Sequence, residues 1–179
     1  MLSAARTRPD AFVIGIDAAA EAMAEASRRA AAKPSRGGVP NAMFLCAAAE
    51  TLPGALASMA DEITVNYPWG SLLRAVAMPD VEVLAKLARL GKPAAAFRAF
   101  INVQPMRDAA QAERLGLSKA ALLCDLARLA ADYARAGLEG LRVSDVMADP
   151  PIATSWAKHL AVSKREVWRL EARVGCIER

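Results

Sequence analysis

Two tryptophans and one aspartate stand where side chains of their kind could meet a nucleotide. Trp69 lies in Pro68-Trp69-Gly70-Ser71, just after an apolar run, and Trp156 lies in Thr154-Ser155-Trp156-Ala157-Lys158. An indole on a turn offers a flat face on which a nucleobase stacks, worth about 1–3 kcal/mol per base. By position alone, each is more often an ordinary packing or surface residue. Asp17 closes the run Phe12-Val-Ile-Gly-Ile-Asp17. An acid at such a strand tip can accept hydrogen bonds from ribose hydroxyls, and it can equally cap the helix that follows. Spacing leaves both readings open.

Basic residues gather in two places, Arg28, Arg29, Lys33 and Arg36, then Lys158, Lys164, Arg165, Arg169 and Arg173. With a net charge of +4 they permit a polyanionic partner without demanding one. His159 has no evident partner and reads as a surface residue. Cys46, Cys124 and Cys176 are odd in number and far apart, with no CxxC pair. They read as reduced, mostly buried thiols, and neither a disulfide framework nor a metal site is expected.

Several strands and helices must position these residues. The runs 12–17, 42–47, 63–67, 95–103, 141–147 and 167–174 read as strands. Helices are expected over 18–32, from Ser71 (as cap) to about residue 90 with a break at Pro79, and over 118–136, ended by Gly137 and again by Gly140. Strands alternating with helices indicate an α/β domain with a mostly parallel sheet, and the last two strands suggest an antiparallel edge. At 179 residues, one domain is expected. The chain has no long uncharged apolar run and no apolar leader near its start, so a soluble cytoplasmic protein is expected. Asp17, Glu50 and the Pro68–Ser71 turn all follow strands in the same sense, which places them along one rim.

On these residues the sequence resembles a known family. Phe12-Val-Ile-Gly-Ile-Asp17-Ala, Glu21-Ala-Met-Ala-Glu-Ala-Ser-Arg-Arg29, Ala47-Ala-Ala-Glu50-Thr-Leu-Pro53, Val65-Asn-Tyr-Pro-Trp-Gly-Ser-Leu-Leu73 and Thr154-Ser-Trp-Ala-Lys158 are similar to blocks of the kanamycin–apramycin resistance methyltransferases. The Pro-Trp-Gly-Ser-Leu-Leu and Thr-Ser-Trp-Ala-Lys blocks together are specific, whereas the strand with its acid is shared by class I methyltransferases in general. The resemblance implies a Rossmann-like methyltransferase sheet and S-adenosylmethionine as cofactor. It also implies methylation at N1 of the decoding-site adenine of 16S rRNA in the 30S subunit, by a monomer that confers aminoglycoside resistance. By resemblance, Asp17 binds the cofactor's ribose, Ala49 and Glu50 lie at its adenine end, and Asn66 and Ser71 line its pocket. Trp69 and Trp156 stack on the flipped adenine, with Thr154 holding the loop nearby. Arg28, Arg29, Lys158 and Arg165 contact rRNA phosphates, and Trp168 is left to the core.

Flipping is what the chemistry requires, because a base locked in a helix hides its Watson–Crick edge. Adenine N1 carries an in-plane lone pair, so alignment rather than a strong base sets the rate. The family's first strand, its glycine-rich turn and the acid at the cofactor's methionine end have no counterpart in residues 1–179. That strand would stand at the centre of the sheet. Its neighbours are therefore expected to show unpaired edges, and these residues alone to bind the cofactor weakly. The alternatives are a methyltransferase for another RNA or small molecule, and a silent ribosome-binding remnant. A nicotinamide oxidoreductase is disfavoured, since no dinucleotide fingerprint is present.

Overall fold

The computed structural model describes residues 1–146 and 166–176, in two compact units, Met1–Pro53 and Gly54–Arg179. In the first unit the apolar runs expected as strands are strands. β1 (Val13–Asp17) pairs in parallel with β2 (Ala42–Cys46), from Val13↔Ala42 to Asp17↔Cys46. Between them runs α2 (Ala20–Ala30), shorter than the expected 18–32 by two residues at each end. Before them stands α1 (Leu2–Thr7). The Asn41 amide nitrogen donates to the carbonyls of Ala5, Arg8 and Ala11 at 2.9, 3.1 and 2.8 Å. One side chain thereby ties α1 and the lead-in to β1 onto the start of β2. Ile14, Ile16, Phe44 and Leu45 are only half-buried, as befits a sheet of two strands.

The second unit holds a four-stranded sheet in the order β3-β4-β6-β5. β3 (Ala60–Asn66) and β4 (Gly91–Asn102) are parallel. β6 (Val167–Val174) runs against both β4 and β5 (Leu138–Val146), so the antiparallel pair sits at one edge, as expected. β5 begins three residues earlier than the expected 141. Gly140, at φ 65°, sits where the β5–β6 register shifts, so it bulges a strand rather than ending a helix. Gly137, at φ 83°, does follow the helix that ends at Arg135.

One face of this sheet is dry. Phe97, Ala99 and Ile101 of β4 and Leu170 of β6 are fully enclosed. This side carries α3 (Gly70–Ala77), α4 (Val81–Ala88) and α8 (Leu126–Arg135). α3 and α4 part at Pro79, and the Asp80 carboxylate caps α4 by accepting from the Glu82 and Val83 N–H groups. From α8, Tyr133 meets the Phe97 ring edge-on at 6.2 Å and donates to the Val76 carbonyl at 3.1 Å. Burial raises the Tyr133 pKa above its usual 10.0. The buried neutral hydroxyl thus favours folding at ordinary pH, and this stability drains away as pH climbs above about 10. The other face is polar. There Arg98 bridges Glu62 of β3 and Glu171 of β6, and Glu171 also draws Arg142 and Arg169.

One expected helix divides, and one unassigned stretch proves helical, both on local grounds. The helix read over 118–136 is two helices, α7 (Ala121–Cys124) and α8, because Asp125 turns out of helical conformation and caps α8 through Arg128 N–H. The stretch before it, left unassigned, forms α5 (Gln104–Arg107) and α6 (Ala109–Arg114). Pro105 in the first turn of α5, and Asp108 accepting from Gln111 N–H at 2.9 Å, are start signals that the sequence displayed. Among the described residues β1 pairs only with β2, and β3 only with β4. Among the described residues, β1 and β3 are thus edge strands of their own sheets. No helix among the described residues is long and apolar enough to cross a membrane.

Candidate active site

In the first unit, the parallel pairing of β1 and β2 brings Asp17 and the turn after β2 to one rim. Ala47 N–H donates to the Asp17 carbonyl at 3.0 Å, and the chain then winds into a 3-10 turn, Ala49–Thr51. The two readings of Asp17 meet here. Its Oδ1 accepts from Ala19 N–H at 2.8 Å at the head of α2, yet Ala19 is the N-cap and the aspartate side chain stays exposed. An exposed carboxylate on the same rim as half-buried Glu50 suits a ligand rich in hydroxyl and amino donors. That donor set fits a nucleoside.

The second unit builds its rim at the end of β3. Asn66 is exposed at the strand tip, and Tyr67 N–H continues the ladder by donating to the Phe100 carbonyl at 2.8 Å. The chain then reverses through two left-handed residues, Tyr67 at φ 48° and Gly70 at φ 58°. Tyr67 and Pro68 point inward while Trp69 is 52% exposed. Buried neighbours on a strained turn thus present one indole to solvent. Ser71 does not cap the next helix. Trp69 holds the N-cap position without a side-chain bond, and Ser71 is an exposed residue of the first turn of α3.

Gly70 is glycine for a reason. A Cβ there would meet nothing within 4 Å, so space is no obstacle, but its positive φ penalises any L side chain. Gly70→Ala should lower stability by about 1–2 kcal/mol through backbone strain alone. A drop in the urea midpoint with unchanged slope would show it.

The structure thus gathers Asp17, Ala49 and Glu50 in the first unit, and Asn66, Trp69 and Ser71 in the second. Thr154, Trp156, Lys158 and Arg165 lie outside the described residues, as does His159. Arg28 and Arg29 are exposed in the last turn of α2, where Arg28 pairs with Glu25 at 2.9 Å. The cysteines correct their expectation. Cys46, Cys124 and Cys176 are all free thiols, but all are exposed, because two end an element and the third follows β6. Trp168 is half-buried rather than core, and its Nε1 donates to Glu166 at 2.7 Å. Sequence reasoning passed over Tyr67. Its ring packs with Phe100 and Val167, and its enclosed hydroxyl has no hydrogen-bond partner among the described residues. Burial pushes its pKa up. An aromatic next to the Pro-Trp-Gly turn was the available signal.

Parallel strands with an acid and an amide at their tips, and an antiparallel final strand, are shared with solved class I methyltransferases. Comparison with known proteins narrows this. The family profile described as NpmA, 16S rRNA (adenine(1408)-N(1))-methyltransferase, matches residues 1–174. An Escherichia coli protein named 16S rRNA (adenine(1408)-N(1))-methyltransferase is 34% identical over 170 residues, 91% of this chain and 76% of its own. The crystal structure of the aminoglycoside resistance methyltransferase NpmB1 is 44% identical with a TM-score of 0.83, covering 97% of this chain and 80% of that one. A tryptophan-to-alanine mutant of the 16S rRNA (adenine(1408)-N(1))-methyltransferase from Catenulisporales acidiphilia, solved with cosubstrate SAM, is 28% identical. Its TM-score is 0.81, over 99% of this chain and 81% of that one. The chain belongs to the 16S rRNA (adenine(1408)-N(1))-methyltransferase family.

Proposed function

We propose that this chain transfers a methyl group from S-adenosylmethionine to N1 of adenine 1408 in 16S rRNA, with the 30S subunit as its substrate. The observation that carries this is Trp69, an exposed indole on a turn whose preceding residues, Tyr67 and Pro68, are buried, in a family that modifies a nucleobase. Asp17 takes the ribose hydroxyls of the cofactor, Ala49 and Glu50 flank its adenine, and Asn66 and Ser71 line the pocket beyond. Trp69 and Trp156 stack on the two faces of the extruded adenine, offsetting much of the unstacking cost. Thr154 supports the Trp156 segment.

S-adenosylmethionine supplies the electrophilic methyl on its sulfonium. The protein need supply no base, because adenine N1 presents its lone pair in the plane of the ring. The side chains instead hold that plane in line with the donor. Arg28, Arg29, Lys158 and Arg165 answer the phosphates of a folded RNA, recognised by shape and backbone. Residues 1–179 act as one methyltransferase domain, a reading supported by a family match spanning nearly all of them. The protein works as a cytoplasmic monomer and protects against aminoglycosides, kanamycin and apramycin first, by adding bulk and positive charge at N1.

The experiment is methylation of purified 30S subunits, with the cofactor raised until the rate no longer climbs. A methyl at N1 blocks Watson–Crick pairing, so primer extension should halt beside adenine 1408. Methyl incorporation without that stop would point to another nucleotide. Salt-sensitive binding to 30S subunits without incorporation would make the chain a silent remnant.

A further inference from the structure

Three non-glycine residues adopt a positive φ among the described residues, Ser58 at 55°, Tyr67 at 48° and Ala94 at 65°. Ser58 and Ala94 are exposed, whereas Tyr67 is bulky and only 6% exposed. A large side chain resists such a backbone. A residue before proline, as Tyr67 is before Pro68, favours extended conformation instead. The strained form persists only where the surroundings over-determine it. Here Phe100 of β4 holds Tyr67 twice. Tyr67 N–H donates to the Phe100 carbonyl at 2.8 Å, and the two side chains pack together with Val167 of β6 against them. The Tyr67 hydroxyl has no hydrogen-bond partner among the described residues, so the packing of the ring is what seats the side chain.

Two residues on stands Trp69, exposed, at the N-cap of α3 and without a side-chain cap bond. The backbone on either side therefore sets where the indole goes, and that backbone is left-handed at Tyr67 and again at Gly70. Glycine takes such a conformation freely, whereas tyrosine has to be held in it. We propose that Tyr67 is a positioning residue for methyl transfer, its ring pegged against Phe100 and Val167 so that the turn presents the Trp69 indole to the target base. This rests on the reading of Trp69 as a stacking face for the flipped adenine.

The test uses the full chain labelled with 5-fluorotryptophan, whose three tryptophans give three fluorine lines. The Trp69 line is the one lost in Trp69→Phe. Tyr67→Ala removes the ring and should shift the Trp69 line towards that of free 5-fluorotryptophan. With 30S subunits its kcat should fall about ten- to hundredfold, as misplacement of a reacting group does, with KM for S-adenosylmethionine unchanged. Tyr67→Phe keeps the ring, so it should hold the Trp69 line in place and recover most of the rate. An unmoved Trp69 line, or an unchanged kcat in Tyr67→Ala, overturns the proposal. So does a Tyr67→Phe variant that loses as much rate as Tyr67→Ala, because the ring is then not the part that holds the turn. If the unaltered chain methylates nothing, the functional reading falls, and the Trp69 line still decides whether the ring holds the turn. Should Tyr67→Ala not fold, Tyr67→Gly removes the ring and the left-handed strain together and is read by the same two measurements.

Discussion

Replacing Trp69 by alanine is expected to cut methylation of adenine 1408 by about ten- to hundredfold, the range that 1–3 kcal/mol of lost stacking allows. Cofactor affinity should change by no more than about threefold, because the indole serves the base rather than the nucleoside pocket. Stability should hardly move. Trp69 is already 52% exposed, so its removal opens no cavity. Trp156→Ala should behave alike, and the double variant should lose less than the product of the two single losses, since one ring alone no longer grips the base. The measurement is single-turnover methylation of 30S subunits beside calorimetric titration of S-adenosylmethionine. Full activity in both single variants would dissolve the clamp.

The second large effect lies in the core. Phe97→Ala should cost about 3–5 kcal/mol, the usual figure for emptying a fully enclosed aromatic site. Phe97 is 0% exposed at the middle of β4, and Tyr133 leans its ring edge against it. A domain stable by roughly 5–15 kcal/mol loses a large share of its margin this way. Tyr133→Phe is the matched control. It keeps the ring pair and removes only the bond to the Val76 carbonyl, for about 1 kcal/mol. Urea unfolding should rank the two clearly, and comparable losses would mean the ring contact carries little.

The parts of the fold that were legible in the sequence are those where one local signal dominates. The runs around Ile14, Phe44 and Val65 are strands because each is apolar, short and bounded by residues that turn the chain. Pro79 splits a helix because proline must. The misreadings fall where a polar side chain settles the matter through hydrogen bonds. Asp125 interrupts a stretch of alanine and leucine that propensity alone would continue, and Asp108 starts a helix that apolar periodicity does not announce.

The candidate site shows the same division. The sequence placed Asp17 and the Trp69 turn along a rim because each ends or follows a strand, whereas Asn66 came only from the resemblance. Ser71 was misread as a cap because serine suits that role generally, while the turn here delivers Trp69 to the N-cap position. The resemblance supplied the nature of the ligand, which spacing could not. The Arg107–Glu166 contact was illegible because the two residues, 59 apart in sequence, meet only once β4 and β6 have paired.

Among the described residues the outer sides of β1 and β3 carry no strand partner, and this also governs how the protein can be handled. An edge strand of this kind is a template for pairing with an extended peptide, another copy included. Crowding, more than electrostatic repulsion, therefore sets the ceiling on how much of this polypeptide stays dispersed. Dilution should protect a preparation better than any adjustment of buffer salt.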